Sequence, residues 1–222
     1  MSLAPASLLQ LMWLASPALP VGGFSYSEAM ESAIDSGQVH DEGSAAAWLD
    51  DQLHLSLGRS ELPLVAAAID AVRRGDTPRL QGLADWHSHT RETSELRLQS
   101  EQMGRSLIGW FDAQGGTPVT PPAPCPWPIA FAVAAASSEA APGDVLLAFG
   151  FSWAENQVQA ALKAVPLGQS AGQRILARLA RELPAVAQAA LATGDDARQA
   201  FTPGLAIASS RHETQYSRLF RS

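Results

Sequence analysis

From Ser170 to Thr193 the apolar residues Ile175, Leu176, Leu179, Leu183, Val186 and Ala190 return every three or four positions. This spacing predicts a long helix with one apolar stripe, and such a stripe is stable only when other elements cover it. Pro184 falls inside the run and is expected to kink or divide it, and Gly194 ends it. Alanine is abundant and β-branched residues are sparse, which favours further helices as the covering elements.

The rest of the chain reads the same way. Residues 5–15 form a short apolar helix ended by Ser16-Pro17. A second helix is expected from Ser25 to Ser36, with Ala29, Met30, Ala33 and Ile34 at helical spacing and Gly37 as its stop. A third starts near Asp41, with Ala45, Trp48, Leu49, Leu53 and Leu57 on one face. A fourth carries Pro63 in its first turn and closes at Gly75, and Thr77-Pro78 opens a fifth. Residues 92–111 form a long helix whose other side holds a polar stripe, Arg91, Glu95, Gln99 and Gln102, read as a solvated face. Residues 114–128, with two glycines and six prolines around Cys125, are a loop and the expected boundary between halves. The apolar runs 129–136 and 145–151 fit buried helix or strand by periodicity, and their alanine content favours helix. Some nine or ten helices with short connections predict an all-α, single-domain bundle over residues 1–200, followed by a tail, 201–222.

The stretch Leu19–Glu31, LPVGGFSYSEAME, combines a helix-start pattern with unusual apolarity. Gly22 and Gly23 permit a tight turn, and Ser25 with Glu28 has the spacing of a capping box. GFSWAE at Gly150–Glu155 echoes it, and recurrence of a capping pattern accounts for the echo. Val165-Pro166-Leu167-Gly168-Gln169 reads as a helix–helix turn made by Pro166 and Gly168, with Gln169 and Gln173 as a possible contact surface.

The search for chemistry returns little. Ser25 lacks the final glycine and the preceding strand of a nucleophile elbow. His87 and His89, two apart on a helix, do not face one ion, while His40 and His212 are isolated. Cys125 stands alone, which excludes an internal disulfide and a multi-cysteine metal site. No phosphate-binding glycine loop is present. Lys163 is the single lysine. The net charge of −7 argues against nucleic acid as a partner, and no uninterrupted apolar stretch approaches the 18 residues of a membrane span. A cytoplasmic location is the expectation.

The tail departs from the acidic body. Arg211, Arg218 and Arg221 against Glu213 give it +2, leaving −9 on residues 1–200. Tyr216, Leu219 and Phe220 would share one side of a helical turn, either ordering on a partner or docking on the chain's own domain.

Four blocks, LLQLMWLASPALPVGGFSYSEAMESAIDSGQV (Leu8–Val39), ETSELRLQSEQMGRSLIGW (Glu92–Trp110), NQVQAALKAVPLGQSAGQRIL (Asn156–Leu176) and RHETQYSRLFRS (Arg211–Ser222), resemble in order the characteristic segments of the urease accessory protein UreF. The resemblance implies an all-helical, non-enzymatic protein that assembles with UreD (also called UreH) and the GTPase UreG on apo-urease. There it would support nickel insertion and regulate the GTPase, as a homodimer within the complex. It implies no directly bound cofactor, nickel and GTP being handled by the partner proteins. Tyr26 and Glu31 are then expected to face a partner, with Phe24 there or in the core. In the tail, Arg211, His212, Tyr216, Arg218, Leu219 and Phe220 are expected to order against UreD. The competing readings are a nickel-binding metallochaperone using His87, His89 or His212, and a hydrolase using Ser25.

Overall fold

The computed structural model describes residues 3–116 and 119–222, and positions 117 and 118 of the proline-rich loop lie outside the described residues. Ten α-helices and no strand are present among the described residues. They run α1 (Pro5–Leu14), α2 (Met30–Asp35), α3 (Glu42–Asp51), α4 (Glu61–Arg74), α5 (Thr77–Thr90), α6 (Ser94–Asp112), α7 (Trp127–Ala135), α8 (Pro142–Ala164), α9 (Gln169–Leu191) and α10 (Pro203–Glu213). A π-helical turn, Gln52–Leu57, carries α3 onward, and 3-10 turns occupy Gly23–Ser25 and Asp195–Ala197.

The middle of the bundle is α7. All nine of its residues are buried, as expected of a helix apolar on every side. It packs against α4, α6 and α8, while α8 and α9 form the most extensive helix pair. Phe131 and Phe149 meet edge to face at 5.1 Å, and Trp127 stacks on Phe149 at 6.0 Å. Gly104 lets α6 approach the segment before α7, because a Cβ there would overlap the Cys125 carbonyl oxygen. The proline-rich loop therefore joins packed helices instead of separating two halves.

Local signals account for many boundaries. Asp41 caps α3: its Oδ1 accepts from the Ser44 backbone at 2.8 Å, and the Ser44 hydroxyl accepts in turn from the Asp41 N–H at 3.0 Å. The Ser44 bonds hold the Asp41 carboxyl below its ordinary range. Gly75, at φ +68°, ends α4 with a left-handed residue. Pro184 does not divide α9, which runs unbroken through it.

Three expectations are corrected. The helix placed at Ser25 begins at Met30, after a 3-10 turn. Ser25 makes no capping bond, because Glu28 and Ala29 are themselves in left-handed backbone, at φ +48° and +65°. The echo GFSWAE lies inside α8, with Ser152 and Trp153 buried, so it caps nothing. The Pro166–Gly168 connection is a helix–helix turn, but Gly168 is in ordinary extended backbone (φ −79°) and nothing lies within 4 Å of a Cβ there. It does not need glycine.

Candidate functional site

The polar stripe on α6 is a seam that receives two other parts of the chain. From one side comes the entrance loop, residues 19–29. Gly22 turns it through left-handed backbone at φ +78°, and Gly23 comes so close to Asn156 that a Cβ would lie 2.7 Å from its amide nitrogen. The Tyr26 hydroxyl donates to Gln102 Oε1 at 2.6 Å, and the Tyr26 ring is only 6% exposed. Glu28 accepts from Gln99 Nε2 at 3.0 Å and from Trp153 Nε1 at 2.9 Å. Two consecutive non-glycine residues in left-handed backbone are costly, and these bonds are what hold Glu28 there.

From the other side comes the strap, residues 214–222, which follows α10. Glu31 on α2 accepts from the backbone N–H groups of Leu219 (2.6 Å) and Phe220 (2.8 Å). His212 is fully buried, its Nδ1 2.6 Å from Glu95 Oε2 and its Nε2 3.3 Å from Glu31 Oε2. Arg218 pairs with the other Glu95 oxygen. Glu213 accepts from the Ser94 hydroxyl (2.5 Å) and backbone N–H (3.0 Å), covering the first turn of α6, and these bonds lower its carboxyl below the ordinary range. Loop and strap then meet. The Ser27 N–H and hydroxyl both donate to the Ser222 main-chain oxygen, at 2.9 and 2.6 Å, and the Arg221 N–H donates to the Ser25 carbonyl at 2.9 Å. Ser222 Oγ reaches Gln99 Oε1 at 2.5 Å. Lys163 closes the junction, donating to the Phe24 carbonyl at 3.2 Å with its Nζ 5.5 Å from the Phe24 ring and 5.9 Å from that of Phe220.

Beneath the seam lies a cavity of about 40 Å³ lined by Glu28, Glu61, Arg91, Gln52, Gln99 and Gln157 among others, a volume that suits about three water molecules. Burial, with the nearby Glu61 charge, raises the Glu28 carboxyl to about 7. Arg91 donates to Glu61 at 2.9 Å and to the Ser60 hydroxyl at 3.0 Å. Behind it His87 is fully buried, its Nε2 2.8 Å from Ser100 Oγ and its Nδ1 without a partner. Burial holds its ring well below the ordinary imidazole range, with the Arg91 charge adding to the effect.

Several sequence-derived placements are therefore revised. Tyr26, Glu31, His212 and Phe220 do not face outward; they are covered within the chain. The stripe Arg91, Glu95, Gln99 and Gln102 is not a solvated face, since each member binds the loop, the strap or the cavity. Tyr216, Leu219 and Phe220 do not share a helical turn: the helix ends at Glu213, only Phe220 turns inward, and Tyr216 (105% exposed) and Leu219 (62%) stand in solvent. Phe24 is also outside, 66% exposed. Arg211 is exposed, and Arg218 is half-exposed. Glu95, Gln99 and Gln102 leave a visible trace in the sequence as the polar stripe of α6, whereas Trp153 and Lys163, on α8, carry no local signal of their place in the seam.

His87 and His89 diverge: the first turns into the core, while the second places Nδ1 2.7 Å from the Asp85 carbonyl. Among the described residues no group of three or more His, Cys, Asp or Glu side chains is arranged to hold a metal ion. Cys125 is mostly buried, which pushes its thiol up to about 12 and leaves it a poor nucleophile. No helix among the described residues is long and apolar enough to cross a membrane.

Fold and site together define an all-helical protein in which the ionisable groups of the seam hold the chain's own loop and strap in place. The family model UreF matches residues 39–180. The chain is 60% identical to the urease accessory protein UreF of Methylibium petroleiphilum, over 98% of this chain and 94% of the relative. It is 59% identical to that of Paracidovorax citrulli, over 99% and 91%. It is also 46% identical to the bifunctional urease accessory protein UreEF of Bordetella bronchiseptica, over 100% of this chain and 53% of that longer protein. The chain belongs to the UreF family of urease accessory proteins.

Proposed function

We propose that the protein is a non-catalytic adaptor in urease maturation, assembling with UreD (UreH) and the GTPase UreG on apo-urease to support nickel insertion and to regulate GTP hydrolysis. In this reading the chain works as a homodimer within the assembly, in the cytoplasm, and nickel and GTP are carried by the partner proteins. The observation that carries the reading is the surface at the loop–strap junction. The carboxylates and the imidazole of the seam are engaged internally, yet Phe24 on the loop and Tyr216 and Leu219 on the strap remain largely exposed. Large apolar side chains held outward on a well-anchored scaffold suit a protein contact, where a few such anchors dominate the binding energy. The membership in a family of urease accessory proteins points to urease maturation as the setting.

The strap's role is accordingly divided. Phe220, His212 and the backbone of Leu219 fix it to the domain, while Tyr216 and Leu219 are its contribution to UreD. The test is urease activity in cells lacking their own UreF and supplied with this chain. The wild type is expected to restore activity, and the F24S/Y216S/L219S variant to fail while remaining folded. Full restoration by that variant would remove this surface from the mechanism.

A further inference from the structure

Five arginine side chains, Arg59, Arg105, Arg181, Arg211 and Arg221, have no ionic or hydrogen-bonding side-chain partner among the described residues; the remaining cations are engaged. Two of the five, Arg105 on α6 and Arg221 on the strap, line one cleft of about 350 Å³ at the edge of the seam. The remaining polar side chains of the lining are Gln102, Ser106, Ser25 and Tyr26, whose hydroxyl is spent on Gln102. Among the described residues no aspartate or glutamate lines the cleft, and Glu101, one turn before Arg105, is paired with Arg97. Gln102 spends its amide oxygen on the Tyr26 hydroxyl, which leaves its NH₂ group as a donor. The lip is fixed by the Arg221 N–H bond to the Ser25 carbonyl, so the strap holds its arginine beside that of α6.

From this arrangement we infer that the cleft receives an aspartate or glutamate side chain from an acidic segment of a protein partner. Guanidinium groups bind carboxylates bidentately, and two of them flanked by hydroxyl and amide donors make a lining matched to an oxyanion. Bulk charge sharpens the match: on a chain of net charge −7, an acidic partner surface is repelled elsewhere and admitted here, which fixes its register. Phe24, on the same entrance loop and largely exposed, offers an apolar contact to a protein segment that a free small anion could not use. The inference rests on the adaptor reading and adds the partner's chemistry to it.

The test uses the full chain with labelled arginine side chains, titrated at low salt with a short blocked peptide of alternating aspartate and glutamate. Its controls are the asparagine–glutamine counterpart and inorganic phosphate. Saturable shifts at the Arg105 and Arg221 Nε–Hε resonances are expected, with affinity falling as salt rises. The R105Q/R221Q variant should lose at least about tenfold in affinity, and R59Q/R181Q should bind as wild type does. All four side chains are unpaired, so the melting temperatures should match. Equal shifts at Arg59 and Arg181, equal binding of the neutral peptide, or phosphate binding as tightly as the peptide would each overturn the inference. The readout needs no accessory protein. A negative titration beside successful urease restoration removes the cleft alone, and a positive titration beside failed restoration removes the adaptor reading alone.

Discussion

His212 shows how much of this molecule turns on single buried groups. Its ring is sealed between Glu31 and Glu95, with one ring nitrogen toward each carboxylate. Replacing it by alanine opens a void between two mostly buried carboxylates and removes a side-chain hydrogen-bond partner from them, a change that typically costs about 1–3 kcal/mol. Urea unfolding of H212A should show a loss of about that size, whereas R211A, at an exposed unpaired arginine, should lie within about 0.5 kcal/mol of wild type. Glu28 and His87 give a prediction with opposite signs. The Glu28 carboxyl is raised from 4.5 to about 7, so the folded state holds the extra proton and stability falls as pH rises through that window. The His87 ring is depressed below 6.5, so the unfolded state takes the proton first and stability is lost as pH falls below 6.5. Between 4.5 and 6.5 the two oppose each other. The E28Q variant lacks the first contribution, and its unfolding free energy should climb more steeply with pH across that range than the wild type's. An unchanged slope would contradict the burial of Glu28.

At the scale of elements, apolar spacing made the helices legible. The stripe Ile175, Leu176, Leu179, Leu183, Val186 and Ala190 is buried along α9, and Asp41, Gly75 and Thr77-Pro78 stand at or beside the boundaries where they were expected. The entrance loop departs from its local pattern for a physical reason: serine three residues before glutamate satisfies a local rule, but Glu28 bonds instead to Gln99 and Trp153, both distant in sequence. The same limit hid the seam. Solvation and internal pairing leave the same polar stripe in a sequence, and only the tertiary fold brings Glu31, Glu95 and residues 212–222 together. Removing residues 214–222 spares every helix, so far-UV circular dichroism should hardly change. The loss of Phe220 burial and of the bonds to Glu31 should still destabilise the domain by about 2–4 kcal/mol. A second element-scale test lies at Gly104. A methyl group there collides with backbone at Cys125, which side-chain adjustment cannot relieve, and G104A should cost about 1–3 kcal/mol or more in thermal or urea unfolding.

For the whole molecule, the fold separates support from contact. Helices α4, α6, α7, α8 and α9 supply a continuous core, and the seam clamps the loop and strap onto it. Pre-ordering these segments lowers the conformational entropy lost on association, so outward side chains such as Phe24, Tyr216 and Leu219 can contribute more of their burial to affinity. In the proposed function, this anchored, outward-facing surface is what UreD grips. The most direct measurement is co-purification of UreD with the wild-type chain and with F24S/Y216S/L219S, each checked for an unchanged melting temperature. The wild type is expected to retain UreD and the folded variant to lose it, and equal recovery of UreD with both chains would contradict this role for the surface.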